Sequence, residues 1–371
     1  MTLRYLSCLL LIILVAFSCE NDPASHASSP TGTTPVILPQ DTLTRLIVAI
    51  NDLQVRAEAG KEHEVLVTLK EKTMLESTGK ISPHKTKTTI RGIVRDEPWL
   101  EVKTPDGKQG WVFGGGLKVE GSSETPVAKI LRKERLTTMF GAAKARQILQ
   151  YRTDFYAAEN SRDMENVYIR GTILRDSLTG PLSGKVKIMD YKKLPELSWL
   201  EDAMPGHTLR MVAEGTTYYL FQDYKKLMNS AKRTTGEEDD VFFKFMTEVH
   251  PFDSVEHFFP VWFTQNWDYG GYSRLGTGVH LEMLRKMNTL MESQQLFRNP
   301  VLKGKMRLLE DILINPEKQY GKSAADIQKE IDDILTADLA ILSAGEKNSL
   351  MQRKAVFDNP KATGITVGME Q

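Results

Sequence analysis

Ile50-Asn51-Asp52-Leu53-Gln54-Val55-Arg56-Ala57 opens a stretch that closes with Pro98-Trp99-Leu100-Glu101-Val102, Asp106-Gly107-Lys108-Gln109 and Gly110-Trp111-Val112. Leu53 and Val55 alternate with polar partners, the period of a half-buried strand. Glu64-Val65-Leu66-Val67-Thr68-Leu69 is a second apolar run, Met74–Gly79 a third, and Thr88–Val94 alternates again through Ile90 and Ile93-Val94. Trp99–Lys103 and Gly110-Trp111-Val112 flank Pro105-Asp106-Gly107-Lys108. Proline presets φ and Asp-Gly suits positive φ, so these four residues predict a hairpin turn. Short strands separated by turn signals predict a small antiparallel barrel over residues 43–120.

The paired Trp99 and Gly110-Trp111-Val112 around an Asp-Gly hairpin, with the Leu53-x-Val55-Arg56 opening, resemble a bacterial SH3-like domain. The resemblance spans about 75 residues. It departs from the family pattern at Glu58-Ala59-Gly60, where a Gly-Pro-like turn is usual, and in an added stretch, Lys80–Arg95. The resemblance implies a module that binds cell-wall peptide or glycan, or that targets the chain. Trp111 and Val112 read as core, because so small a barrel needs bulky filling. Trp99 reads either as core or as a ligand contact, since tryptophan is amphipathic. Arg56 reads as a contact or as a partner for a carboxylate. Lys80–Arg95 carries Lys80, Lys85, Lys87, Arg91 and Arg95 with no acidic residue. It reads as a solvated hairpin or as an approach to anionic envelope polymers.

Outward from this stretch, the N-terminus reads as an address. Arg4 precedes an apolar run, Leu6–Phe17, and small Ala16 and Ser18 precede Cys19. The run is too short for a bilayer span, which takes about 20 residues, and fits a signal-peptide core. The pattern resembles a bacterial lipoprotein signal: residues 1–18 would be removed and Cys19 acylated. Glu20-Asn21-Asp22 resembles the surface-export signal of Bacteroidetes-type lipoproteins, or is a solvated start to the tether. Residues 19–42, rich in Pro, Ser, Thr, Ala and Gly, read as a disordered tether with a mean reach of roughly 25 Å.

Composition excludes several function classes. Lys plus Arg and Asp plus Glu both number 48, so no global field favours nucleic acid. Cys8 and Cys19 are the chain's two cysteines. The body therefore has no disulfide, thiolate metal site or cysteine nucleophile, which removes the cysteine-peptidase reading. No motif calls for a cofactor or a metal.

Residues 125–371 read as a larger α+β, mainly helical domain. Thr125-Pro126 opens a helix, with proline in a tolerated position, and Gly141 offers a break. Val167–Leu174 and Lys185–Met189 read as strands; Thr208–Val212 and Thr216–Phe221 read as a hairpin about Glu214-Gly215. Helices are expected over Tyr224–Ser230, Glu238–Val249, His280–Glu292, Val301–Ile314, Ala324–Leu342 and Lys347–Phe357. Phe242–Tyr272 holds eleven aromatics and ends in Asp268-Tyr269-Gly270-Gly271-Tyr272-Ser273-Arg274. One reading puts the phenylalanines in a core. Another makes Trp267, Tyr269 and Tyr272 a stacking platform, with Asp268 and Arg274 as polar contacts.

Catalytic motifs are weak. Asp253-x-x-Glu256-His257 lacks the first histidine of an inverzincin motif, and no nucleophile elbow is present. Glu238-Asp239-Asp240 offers hydrolytic carboxylates, or acids at a helix start. The sequence thus predicts a multidomain, lipid-anchored cell-envelope protein: a small all-β SH3-like barrel followed by an α+β, mainly helical domain. Cys19 would reach the membrane, with an outer-membrane, periplasmic or surface-exposed location resting on the signal, and peptidoglycan or an envelope protein is the expected partner. The alternative is an envelope hydrolase acting on glycan or peptide through the C-terminal domain.

Overall fold

The computed structural model describes residues 36–37, 44–120, 124–188, 190–212, 217–251, 259–266, 270–315 and 318–369. Cys19 and all of the expected tether except Val36–Ile37 lie outside them, as do Trp267, Asp268 and Tyr269; Val36–Ile37, expected to be disordered, pair as a short strand with Lys80 and Ile81.

The N-terminal part is an antiparallel sheet. Its strands are β1 (Val36–Ile37), β2 (Arg45–Val48), β3 (Leu53–Arg56), β4 (Val65–Leu69), β5 (Met74–Ile90), β6 (Ile93–Lys103), β7 (Gln109–Phe113) and β8 (Leu117–Val119). The order is β4-β3-β7-β6-β5-β2-β8, with β1 added beside β5. The expected barrel is not seen as a closed structure: among the described residues no ladder joins β4 to β8. The physical reason lies in β5 and β6, which are 17 and 11 residues long. They run on past the short strands as one extended hairpin, paired down to Ile90↔Ile93. Its two-residue turn places Arg91 at φ 46° and Gly92 at φ 78°, the left-handed pair that matches strand twist.

Ten helices follow among the described residues, with two short hairpins between them. The first five are α1 (Pro126–Phe140), α2 (Ala142–Ala157), α3 (Ser161–Lys185), α4 (Ser198–Ala203) and α5 (Tyr224–Ala231). The rest are α6 (Glu238–Val249), α7 (Val279–Ser293), α8 (Arg298–Leu313), α9 (Ala324–Thr336) and α10 (Ala344–Val356). Thr125 caps α1 by accepting from the Ala128 amide, with Pro126 in its first turn. Gly141, at φ 83°, separates α1 from α2. The hairpins are β9 (His207–Val212) with β10 (Thr217–Gln222), and β11 (Phe263–Gln265) with β12 (Gly271–Ser273).

Two expected strands are corrected. Val167–Leu174 lies inside α3, and Lys185 ends that helix. The run looked strand-like because it is rich in β-branched residues. Met164, Val167, Tyr168, Gly171, Leu174, Leu178 and Leu182 are the buried set, spaced by three and four. Helical burial wins over local propensity, leaving Ile169 and Ile173 on the exposed face. The expected helix Ala324–Leu342 ends early, at Thr336.

Three cores organise the fold. Leu46, Val48, Val55, Leu75, Leu100, Val102, Val112 and Leu117 fill the sheet's main face, joined by Val127 and Leu131 of α1. Trp99, Trp111 and Phe113 form a smaller cluster. The helical core centres on Tyr168, Phe242, Phe243 and Phe297, with the Phe242 and Phe297 rings stacked at 4.3 Å. Thus Phe242, Phe243, Phe245 and Trp262 of the aromatic-rich stretch are interior residues. Ile93, from the β5–β6 hairpin, belongs to the helical core.

The sheet and the helices are therefore joined through shared interior. A Cβ on Gly114 would lie 2.8 Å from Pro98 O and 3.0 Å from Leu131 Cδ2, so α1 could not approach so closely over a larger residue. Arg135 of α1 meets Glu97 of β6 at 3.1 Å, with side-chain exposures of 2% and 0%. Arg135 also donates to Gly114 O and Leu117 O, at 3.2 and 2.7 Å. Arg95 lies 3.6 Å from Glu97, donates to Glu196 O at 2.7 Å and sits over the Trp199 ring. Burial, then the nearby Arg135 charge, lowers the Arg95 guanidinium to about 10.

Candidate functional site

A cleft of about 430 Å³ opens where the sheet meets the helical region. The sheet supplies Ile47, Val48 and Ala49, the turn residues Glu71 and Lys72, Arg91 at the hairpin tip, and Lys118 of β8. The helical side supplies Leu194–Ser198, Glu201 of α4, Leu209 of β9 and Tyr218 of β10. Ligand sites favour such junctions, with apolar walls and a few placed polar groups.

The cleft's carboxylates are engaged within the protein. Glu71 takes both Arg91 terminal nitrogens, at 3.3 and 2.7 Å. Glu196 accepts from the Ser198 amide at 3.0 Å and from its hydroxyl. Glu201 accepts from the Leu209 amide at 2.9 Å and pairs with Lys226 at 3.2 Å. Lys72 and Lys118 form no ion pair among the described residues. Arg91 and Lys226 offset Glu71 and Glu201, while the neutral donors on Glu196 leave its charge in place, so Lys72 and Lys118 give the cleft one positive charge in excess. Lys72 sits at φ 71° and Arg91 at φ 46°, left-handed positions that cost a non-glycine residue of order 1 kcal/mol or more. The Lys72 turn is held by its amide, which donates to Val48 O at 2.8 Å. Burial holds the Tyr218 phenol above its usual range, so it enters neutral chemistry as a hydroxyl. A cationic rim on an apolar floor suits an anionic ligand with an apolar portion. The cleft's described lining has no histidine or cysteine.

The residues singled out from sequence are dispersed. Trp99 is 3% exposed, its indole N–H donates to Thr86 Oγ1 at 2.8 Å, and its ring lies 6.0 Å from Phe113. It is a core residue with a satisfied polar edge, not an open contact. Trp111 is likewise interior. Arg56 donates to His63 O and Gln54 Oε1, so its guanidinium braces its own loop. Arg274 donates to Val261 O at 2.9 Å. Tyr272 is half-buried on β12, opposite Thr264. Of the expected stacking platform, Trp267 and Tyr269 lie outside the described residues, as does the expected polar contact Asp268. The basic stretch Lys80–Arg95 is largely committed: Lys80 pairs with Glu101, Lys85 with Glu134, Arg91 with Glu71, and Arg95 is buried.

The groups considered for hydrolysis have structural roles. Asp239 is fully buried and accepts from Ser161 Oγ and Thr234 Oγ1, each at 2.6 Å. A buried polar cluster near α7 contains Ser273, His280, Asp311 and Glu330. Ser273 Oγ and His280 Nε2 both meet Asp311 Oδ2, at 2.5 and 2.8 Å. They hang on one carboxylate oxygen rather than forming a nucleophile–base relay. Glu330 takes the amides of Gly276, His280 and Leu281 and so caps α7 from α9. The Asp253–His257 residues lie outside the described ones. No cluster of metal-ligating side chains is found among the described residues, and none of their helices is long and apolar enough to cross a membrane.

Sequence reasoning missed Lys72, Lys118 and Tyr218. They come from three separate elements, and no local pattern joins them. The chain matches no family model, no curated protein and no solved structure.

Proposed function

We propose that this is a lipid-anchored cell-envelope binding protein. Cys19 holds it to the membrane, the antiparallel N-terminal module is SH3-like and targets a wall component or an envelope protein, and the ligand enters the cleft where that module meets the helices. One observation carries the binding reading: Glu71, Glu196 and Glu201 are all engaged internally, while Lys72 and Lys118 stay unpaired among the described residues. That arrangement supports binding of an anionic group and supplies no described nucleophile–base pair for the cleft. The short antiparallel strands and the Trp99–Trp111–Phe113 cluster support the SH3-like reading. The signal pattern ending at Cys19 supports the anchor and the envelope address.

Two measurements test this. Fractionation of cells expressing the parent chain and Cys19→Ser tests the anchor: the parent stays with membranes and the variant is released. A variant that remains membrane-bound sinks that part. Co-sedimentation of the full chain with isolated peptidoglycan, and capture from solubilised envelope protein, tests the binding role. Muropeptide release by the purified chain would favour a hydrolase instead.

A further inference from the structure

We propose that the cleft captures the carboxyl end of a peptide: Lys72 and Lys118 neutralise the terminal carboxylate, the Tyr218 hydroxyl donates to it, and Glu196 accepts the last peptide N–H. This rests on the cleft being the binding site and names what enters it. Tyr218 of β10 lines the cleft and is 9% exposed. Its hydroxyl has no hydrogen-bond partner among the described residues, and burial is the one cause that raises its pKa. A tyrosine so enclosed usually finds a partner for its O–H. This one bonds nothing in the fold, which leaves it for a ligand atom. Glu196 takes the Ser198 amide and hydroxyl on Oε1. Its Oε2 remains an acceptor without a hydrogen-bond partner among the described residues.

Charge and the balance of donors and acceptors select the ligand. One positive charge stands in excess in the cleft. A single carboxylate balances it. A phosphate monoester, at about −1.5 to −2 near neutral pH, exceeds it and also faces Glu196. The uncommitted groups are three donors, on Lys72, Lys118 and Tyr218, and one acceptor oxygen on Glu196. A terminal carboxylate only accepts, while the amide of the same residue donates. A peptide end therefore answers both from neighbouring atoms, whereas a fatty carboxylate brings no donor for Glu196. Val48, Leu197 and Leu209 on the walls suit an apolar last side chain. Wall peptides and envelope proteins both end in a carboxylate, so this chemistry is common to the two ligand sources proposed above.

The test uses the full chain in mild detergent. It is dialysed to equilibrium against mixed N-acetylated tetrapeptides ending in alanine, valine, leucine or phenylalanine, each as free acid and as amide, and retention is read by mass spectrometry. The acids should be retained about tenfold better than the amides. Tyr218→Phe removes an oxygen that bonds nothing in the fold, so it should keep the urea midpoint and cut acid retention about tenfold. No retention, equal retention of acids and amides, or a Tyr218→Phe chain that binds as the parent does overturns the proposal. An acetylated, amidated phosphoserine tetrapeptide is the control. Its retention above the acids, lost in Lys72→Glu/Lys118→Glu, overturns the terminal carboxylate but keeps the cleft as an anion site. Acid retention unchanged in that double variant overturns both. Wall peptides freed from isolated peptidoglycan, and solubilised envelope protein, then compete with the retained acid. Displacement by one supports the proposal and names the source; displacement by neither overturns it.

Discussion

The junction between the sheet and the helices has two parts built from similar residues and used in opposite ways. In one, Arg95, Glu97 and Arg135 are buried and bonded to each other and to backbone carbonyls. In the other, Lys72 and Lys118 line an open cleft whose carboxylates are already occupied. Charge that is spent inside the fold holds its geometry. Charge left over at a concave surface is available to a ligand. The difference is set by burial and by where each carboxylate is committed, not by residue type.

Removing the charge at the buried centre should have the largest effect. Glu97→Ala leaves Arg95 and Arg135 interior without their carboxylate, and should cost about 3–5 kcal/mol of stability. Urea denaturation followed by tryptophan fluorescence measures it; a loss below 1 kcal/mol would mean water reaches this centre freely. Trp99→Ala should destabilise by a similar amount, about 3–5 kcal/mol, since a fully packed indole and its hydrogen bond are lost. Trp99→Phe should keep ligand binding. A stable Trp99→Ala chain that fails to bind would return Trp99 to the ligand surface.

Acid should act on the helical side. His207 is buried, and that burial lowers its imidazole from 6.5 to about 4. Between those values the unfolded chain binds a proton that the folded chain does not, so stability falls as pH drops. At 1.36 kcal/mol per pH unit the group contributes a loss of about 3 kcal/mol, complete near pH 4. His207→Gln should flatten that part of the stability profile between pH 6.5 and 4; an unchanged slope would assign the acid sensitivity elsewhere.

The smallest stability effect belongs to the cleft. Lys72→Ala and Lys118→Ala should each change stability by no more than about 0.5 kcal/mol, as surface substitutions do. Their effect should appear in binding instead, which separates the two parts of the junction.

Much of this architecture was legible in the sequence where one signal dominates. Alternation marked β3, the Asp-Gly turn marked β6 and β7, and Thr125-Pro126 with Gly141 marked the limits of α1. Val167–Leu174 misled because its β-branched residues favour strand locally, while the spacing of Met164, Val167, Tyr168 and Leu174 encodes a helical face. The barrel expectation failed because, although Lys80–Arg95 read as a hairpin, nothing local shows that it extends both strands beyond the sheet, or that Ile93 enters another core. The basic residues of that stretch looked solvated, yet Glu71, Glu101 and Glu134, distant in sequence, neutralise three of them. The cleft was invisible for the same reason: its lysines gain meaning from carboxylates committed elsewhere.

If the unpaired lysines at the cleft bind the envelope ligand, they must decide capture: co-sedimentation with isolated peptidoglycan, and pull-down from solubilised envelope protein, of Lys72→Glu/Lys118→Glu beside the parent chain tests this. The parent should be captured by one of these and the double variant, with an unchanged urea midpoint, should not. Equal capture of parent and variant, or no capture of the parent, would contradict it.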